Sequence, residues 1–271
     1  MTGRASLPMY DLPELRAAQD DLWRSLAGAF RAAGVGGVPG RLTRDRPVAA
    51  LWRDRDLLFS QSCGYPLTHD FADWLRPVAT PVYAAEGCDG PLYRSAVVVP
   101  ADSAVESLAD CRGAVCAVNG WGSLSGWHAL AALAAPLVPD GGFFGAGQVT
   151  GGHLASLAAV AEGRAGLAAL DAVSWALFQR HRPALARRVR VLCWTEPAPG
   201  LPFVTRADAD GRLLDGLRAG VAAMLADADA AAARRALLID GAEPLTEADY
   251  APVPEIARRG ATLRLPAFEA A

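Results

Sequence analysis

Apolar residues return every three or four positions in LPELRAAQDDLWRSLAGAFRAAG, the spacing of an amphipathic helix that Gly34 ends. Short apolar runs then alternate with stretches of this kind. DLLFSQ (56–61), YRSAVVVPA (93–101), GAVCAVN (113–119), GGFFGAGQV (141–149), GLAALD (166–171), RVRVLCWTE (188–196) and FVTRA (203–207) read as strands, and ASLPMY (5–10) as a shorter one. The helices expected between them are SAVESLAD with Ser103 as its cap, SLSGWHALAALAA, GGHLASLAAVAEGRA and AVSWALFQRHRP. A long alanine-rich helix from Asp210 to Leu238 and a last helix near TEADYAPVPEIARRG complete the order. Strands alternating with helices predict an α/β fold with mostly parallel sheets flanked by helices. In such sheets ligands gather where strands end and helices begin, so the corners after Tyr10, Gln61, Asn119, Val149 and Leu170 are the places to inspect.

Composition narrows the chemistry. The 271 residues are 52% apolar and 20% charged, with a net charge of −3, which leaves no electrostatic footprint for nucleic acid. All 26 basic residues are arginine. A chain without lysine has no phosphate loop of the Walker type, no pyridoxal Schiff base and no amine nucleophile. An anion must be held by hydroxyls, backbone N–H groups, histidine or arginine. The N-terminal segment carries Arg4, Asp11, Glu14, Arg16, Asp20 and Asp21, so it reads as neither signal peptide nor anchor, and a cytoplasmic location is expected if that terminus is native. Five scattered cysteines suit neither a zinc site nor a disulfide framework, and no metal or cofactor is expected. Cys63 and Cys88 lie in loop-like sequence, where a bridge between them stays open.

Three corners carry candidate chemistry. In NGWGSLSG, Ser123 and Ser125 stand where a helix begins; they are either caps or hydroxyl donors that join the helix dipole in holding an oxyanion. It is not a hydrolase elbow, because Leu124 stands where that motif needs serine. VTGGHLAS places His153 in the first turn of a helix, as surface decoration or as a ligand donor. GLAALD ends an apolar strand on Asp171, a helix cap or a group for a cation or hydroxyl. Tyr10, Gln61 and Tyr65 end two further strands, as cleft walls or as core.

In this order LLFSQSCGYPL, YRSAVVV, LADCRGAVCAVNGWGSLSG, TGGHLASLAAVAEGRAGLAALDAVSW and APGLPFVT resemble the phosphate/phosphonate-type substrate-binding proteins of ABC importers, from Ala5 to Thr205. The resemblance implies a type II periplasmic-binding-protein fold, two α/β lobes joined by a two-strand hinge. Lobe one would be 1–93 plus 195–271 and lobe two 94–194, with the ligand cleft between them. It implies capture of a small anionic or zwitterionic metabolite by lobe closure, without catalysis, by a periplasmic monomer serving an ABC permease. The family's Ser-Thr-Ser-Gly turn falls on Ser123, Leu124, Ser125 and Gly126, its histidine on His153, and its amine-receiving acid on Asp171. Leu124 removes one hydroxyl donor from that turn, which argues for a ligand other than the family's usual one. The alternative is an intracellular ligand sensor, or an enzyme related to thiamine- or pyrimidine-precursor proteins on the same fold, with Cys63 as its reactive group.

Overall fold

A computed structural model describes residues 2–138, 142–263 and 269–270. The chain divides into two units, each with its own sheet and helices. The first comprises Met1–Ala84, Asp89–Pro91 and Pro199–Ala251, the second Ala85–Cys88, Leu92–Ala198 and Pro252–Ala271.

In the first unit the sheet order is Arg4–Ala5, Leu57–Gln61, Phe203–Arg206, Leu75–Tyr83, Ile239–Glu243. The first pair is parallel and the other pairs are antiparallel. Helix Arg16–Ala32 buries Leu22, Trp23, Leu26, Ala27 and Phe30, the stripe its periodicity predicts, and Gly34 ends it with φ +77°. It packs on helix Gly211–Ala226 where Gly220 faces the Phe30 ring, and a Cβ at 220 would overlap that ring. The expected helix from Asp210 to Leu238 breaks after Ala226. Asp227 takes Ser25 Oγ at 2.5 Å and the Asp229 amide at 2.9 Å, an aspartate turn that outcompetes the next helical turn. Leu75–Tyr83 is a central strand that the pattern passes over, because Pro77 and Pro81 are residues that sheets usually exclude. The expected strand 5–10 pairs through Arg4–Ala5.

In the second unit the order is Val189–Trp194, Ser95–Pro100, Leu167–Asp171, Val115–Val118, Ala146–Val149, Glu269–Ala270. The pairs from Leu167–Asp171 through Val115–Val118 and Ala146–Val149 to Glu269–Ala270 are parallel, and Ser95–Pro100 runs antiparallel to both of its neighbours, Val189–Trp194 and Leu167–Asp171. Gly141, the first residue of one expected strand, lies outside the described residues. In place of the helix expected at 103–110 there is one tight turn, Leu108–Cys111, closed by a Ser107/Asp110 capping box, while Ser103 Oγ accepts from the Val105 amide. The core holds Val97, Val99, Val118, Trp127, Leu130, Phe143, Phe144 and Leu167.

The C-terminal helix Pro252–Gly260 joins this second unit rather than the first, against the expected boundary. It buries Val253, Ile256, Ala257 and Gly260 and packs on helix Ala129–Ala134. A Cβ on Gly260 would stand 2.9 Å from Ala131 Cβ, so the close approach requires glycine. Among the described residues no helix is long and apolar enough to cross a membrane.

Candidate functional site

Parallel pairing brings three strand ends to one edge of the second sheet. Val118 pairs with Val149, and Ala117 with both Ala168 and Gln148, so the corners that follow Val118, Val149 and Leu170 are neighbours. The first corner turns at Gly120–Ser123 and enters not an ordinary helix but a widened π turn, Leu124–His128, before helix Ala129–Ala134. The Ala129 amide reaches back to Leu124 O, one residue further than in an α-helix. Ser123 Oγ accepts the Gly126 amide at 3.0 Å and lies 3.4 Å from Ser125 Oγ. Ser125 Oγ lies 3.0 Å from Nε2 of His153, the first residue of helix His153–Ala161. Two corners thus meet through a serine and a histidine.

Asn119, which the pattern marks only as a strand end, completes the cluster. Its Nδ2 lies 3.4 Å from His153 Nε2. In this orientation the amide nitrogen can only donate, so Nε2 is the acceptor and the ring proton sits on Nδ1. Nδ1 is sealed from solvent although the residue as a whole is half-buried. Burial pushes the imidazole pKa down to about 4, with the Ala169 backbone pulling upward, and the ring is neutral at pH 7. An oxyanion set against this ring would reverse this balance, offering acceptor oxygens that favour the imidazolium and leave the Ser125 hydroxyl to donate elsewhere.

The remaining expected residues are placed as follows. Leu124 is fully buried, so it offers a neighbouring anion its backbone alone. Gly126 is required locally, because a Cβ there would overlap the Asn119 side chain. Ser156 is also buried and bonds Thr150 Oγ1 at 2.7 Å, a closed pair that braces the second corner. Asp171 is 1% exposed and its Oδ1 accepts the Ser174 amide at 2.8 Å, capping helix Ala172–His181. In the first unit Gln61 donates to Tyr83 OH at 2.9 Å and to Leu201 O at 3.1 Å, and Tyr10 meets the Tyr83 ring edge-on at 5.5 Å. These two residues line a cavity of about 20 Å³ with Gln19 and Leu22, room for a single water. Tyr65 stacks on His69 at 3.8 Å and stays half-buried. Cys63 and Cys88 form no disulfide and lie in different units, and burial with the nearby Asp171 carboxylate pushes Cys88 up to about 12. Among the described residues no group of histidine, cysteine and carboxylate could hold a metal ion.

A family model described as the periplasmic substrate-binding protein of phosphonate ABC transporters matches residues 53–250. No curated protein matches the sequence. Among solved structures the chain is similar to a binding protein component of an ABC phosphonate transporter from Pseudomonas aeruginosa, with TM-score 0.78, 17% identity and coverage of 96% of this chain and 87% of that one. It is similar to PhnD1 of Prochlorococcus marinus in complex with methylphosphonate, with TM-score 0.74, 15% identity and coverage of 97% and 98%. It is also similar to XAC2383 of Xanthomonas citri bound to ATP, with TM-score 0.71, 17% identity and coverage of 96% and 98%. At such identities these likenesses carry the fold alone.

Proposed function

The chain belongs to the phosphonate substrate-binding proteins of ABC transporters, and from that premise we propose that Ser123, Ser125 and His153 hold the anionic end of its ligand. The observation that carries this reading is the 3.0 Å contact between Ser125 Oγ and His153 Nε2, two groups from separate strand-to-helix corners on one sheet edge. With no lysine in the chain, the attraction comes from hydroxyls, an imidazole and backbone N–H groups at the start of the helix. Asn119 orients the histidine, Gly126 keeps the turn open to Asn119, and the Leu124 backbone N–H stands in for the hydroxyl that leucine lacks. Asp171 supports its corner as a cap. Tyr65 is the half-buried one of the three first-unit candidates, while Tyr10 and Gln61 serve the interior.

The protein captures its ligand as a periplasmic monomer, releases it unchanged to an ABC permease and binds no nucleic acid. Closure of the two lobes on the ligand belongs to the same proposal. Thermal-shift measurements with methylphosphonate and with inorganic phosphate test the site: the wild type gains stability, and Ser125→Ala combined with His153→Ala abolishes the gain. An unchanged gain in the double variant sinks the assignment. Phosphorus NMR of the incubated mixture tests the absence of catalysis, since a new phosphorus resonance would mean turnover. Small-angle scattering reads closure as a smaller radius of gyration with ligand.

A further inference from the structure

Trp121 stands at the tip of the turn that delivers Ser123. The Ser123 amide donates to Gly120 O at 3.2 Å, which closes a tight turn with Trp121 and Gly122 at its centre. Trp121 is 38% exposed. It meets the Trp127 ring edge-to-face at 5.1 Å and 84°, and Trp127 is itself buried, 6.3 Å from the Phe144 ring. Contact with a fixed core ring restrains the indole while much of its surface stays in water. A Cβ on Gly120 or Gly122 would meet nothing within 4 Å, so the space beside the turn is open. A single exposed aromatic is ordinary on a protein surface. This one shares a four-residue turn with Ser123, the first hydroxyl of the cluster.

We propose that Trp121 is a specificity-determining residue, covering an uncharged alkyl or aryl substituent of the anion. Within the family's phosphonates, the substituent favoured is then an apolar one. The position of Asp171 agrees with this. The carboxylate that would receive an amine end is 1% exposed and caps the Ser174 amide, whereas the apolar side chain of Trp121, in the turn that ends at Ser123, is exposed. Covering the indole removes apolar area from water on both partners, a gain that inorganic phosphate cannot provide.

The proposal rests on the anion-site reading above, and titration calorimetry separates the two. Phenylphosphonate, methylphosphonate and inorganic phosphate are titrated into the wild type, Trp121→Ala and Trp121→Phe, with circular dichroism as the check on folding. The wild type binds phenylphosphonate about tenfold more tightly than phosphate or better, Trp121→Ala erases that preference while its phosphate affinity is unchanged, and Trp121→Phe keeps most of it. A preference that survives in folded Trp121→Ala, or an equal loss for all three anions, overturns the role of Trp121 and leaves the anion site standing. If the wild type binds none of the three, the anion site falls and this inference falls with it.

Discussion

At the scale of single residues the cluster turns on His153. In the folded chain its pKa is about 4, below the ordinary imidazole value of 6.5, because burial penalises the charged ring. Between these two values the unfolded chain binds the extra proton, so stability rises with pH across that window and is lost as pH falls through it. Melting temperatures measured at pH 7 and pH 5 should therefore drop on acidification, and His153→Gln should flatten that drop. Asp110 and Asp249, held low by hydrogen bonds from Ser107 and Thr246, contribute stability that is lost mainly below the same window. An equal drop in the variant would show that His153 is not the titrating group. The residue type and its position at a helix start were legible in VTGGHLAS. Its neutral state was not, because that follows from a pocket assembled from strands far apart in sequence. Asn119 shows the same limit. An asparagine at a strand end reads as a turn residue until the fold sets His153 beside it.

Among elements, the informative case is the first corner. GSLSG reads as a helix start with serine caps, and Ser123 does cap the Gly126 amide. The π turn over Leu124–His128 is invisible to periodicity, since one extra residue in a single turn leaves the apolar spacing of Leu124, Trp127 and Leu130 unchanged. Gly126 ties that turn to the site. Gly126→Ala would push the new Cβ into Asn119, displacing the amide from His153, at a cost of about 1–3 kcal/mol typical of overpacking. Urea unfolding should show this loss, and Gly126→Ala made together with Asn119→Ala should recover most of the stability without recovering anion binding. Additive losses in the double variant would rule out the clash. The same competition between local and tertiary preferences explains the misread elements. Asp227 breaks an alanine-rich helix because Ser25 is there to bond it, and Pro77 and Pro81 sit in a central strand that its neighbours nevertheless pair.

For the molecule as a whole, the chain-order reading assigned everything from residue 195 onward to the first lobe, and the last helix, Pro252–Gly260, falls in the second unit instead. Pro252–Gly260 has a clear amphipathic pattern, so its existence and its apolar face were both readable. Which apolar surface it would cover was not, because any complementary face satisfies the pattern. Its partner is helix Ala129–Ala134, the continuation of the π turn that bears Ser125. Ile256→Ala should cost about 2–5 kcal/mol by leaving a buried void. Hydrogen exchange should speed up in Ala129–Ala134 more than in Arg16–Ala32 of the first unit, whereas uniform acceleration would refute this coupling.

By itself the sequence determined the alternation of strands and helices, the absence of lysine chemistry and the residue types at the corners. It also carried the resemblance that the family match upholds. These are local or compositional properties, readable from spacing and side-chain type. The tertiary structure alone decided that Ser125 and His153 touch, that Asn119 and Gly126 fit one another, that Asp171 is spent as a cap and that Trp121 stays exposed. Each depends on strand register and on the close packing of residues remote in sequence, and pairwise distance is not a property that a linear pattern contains.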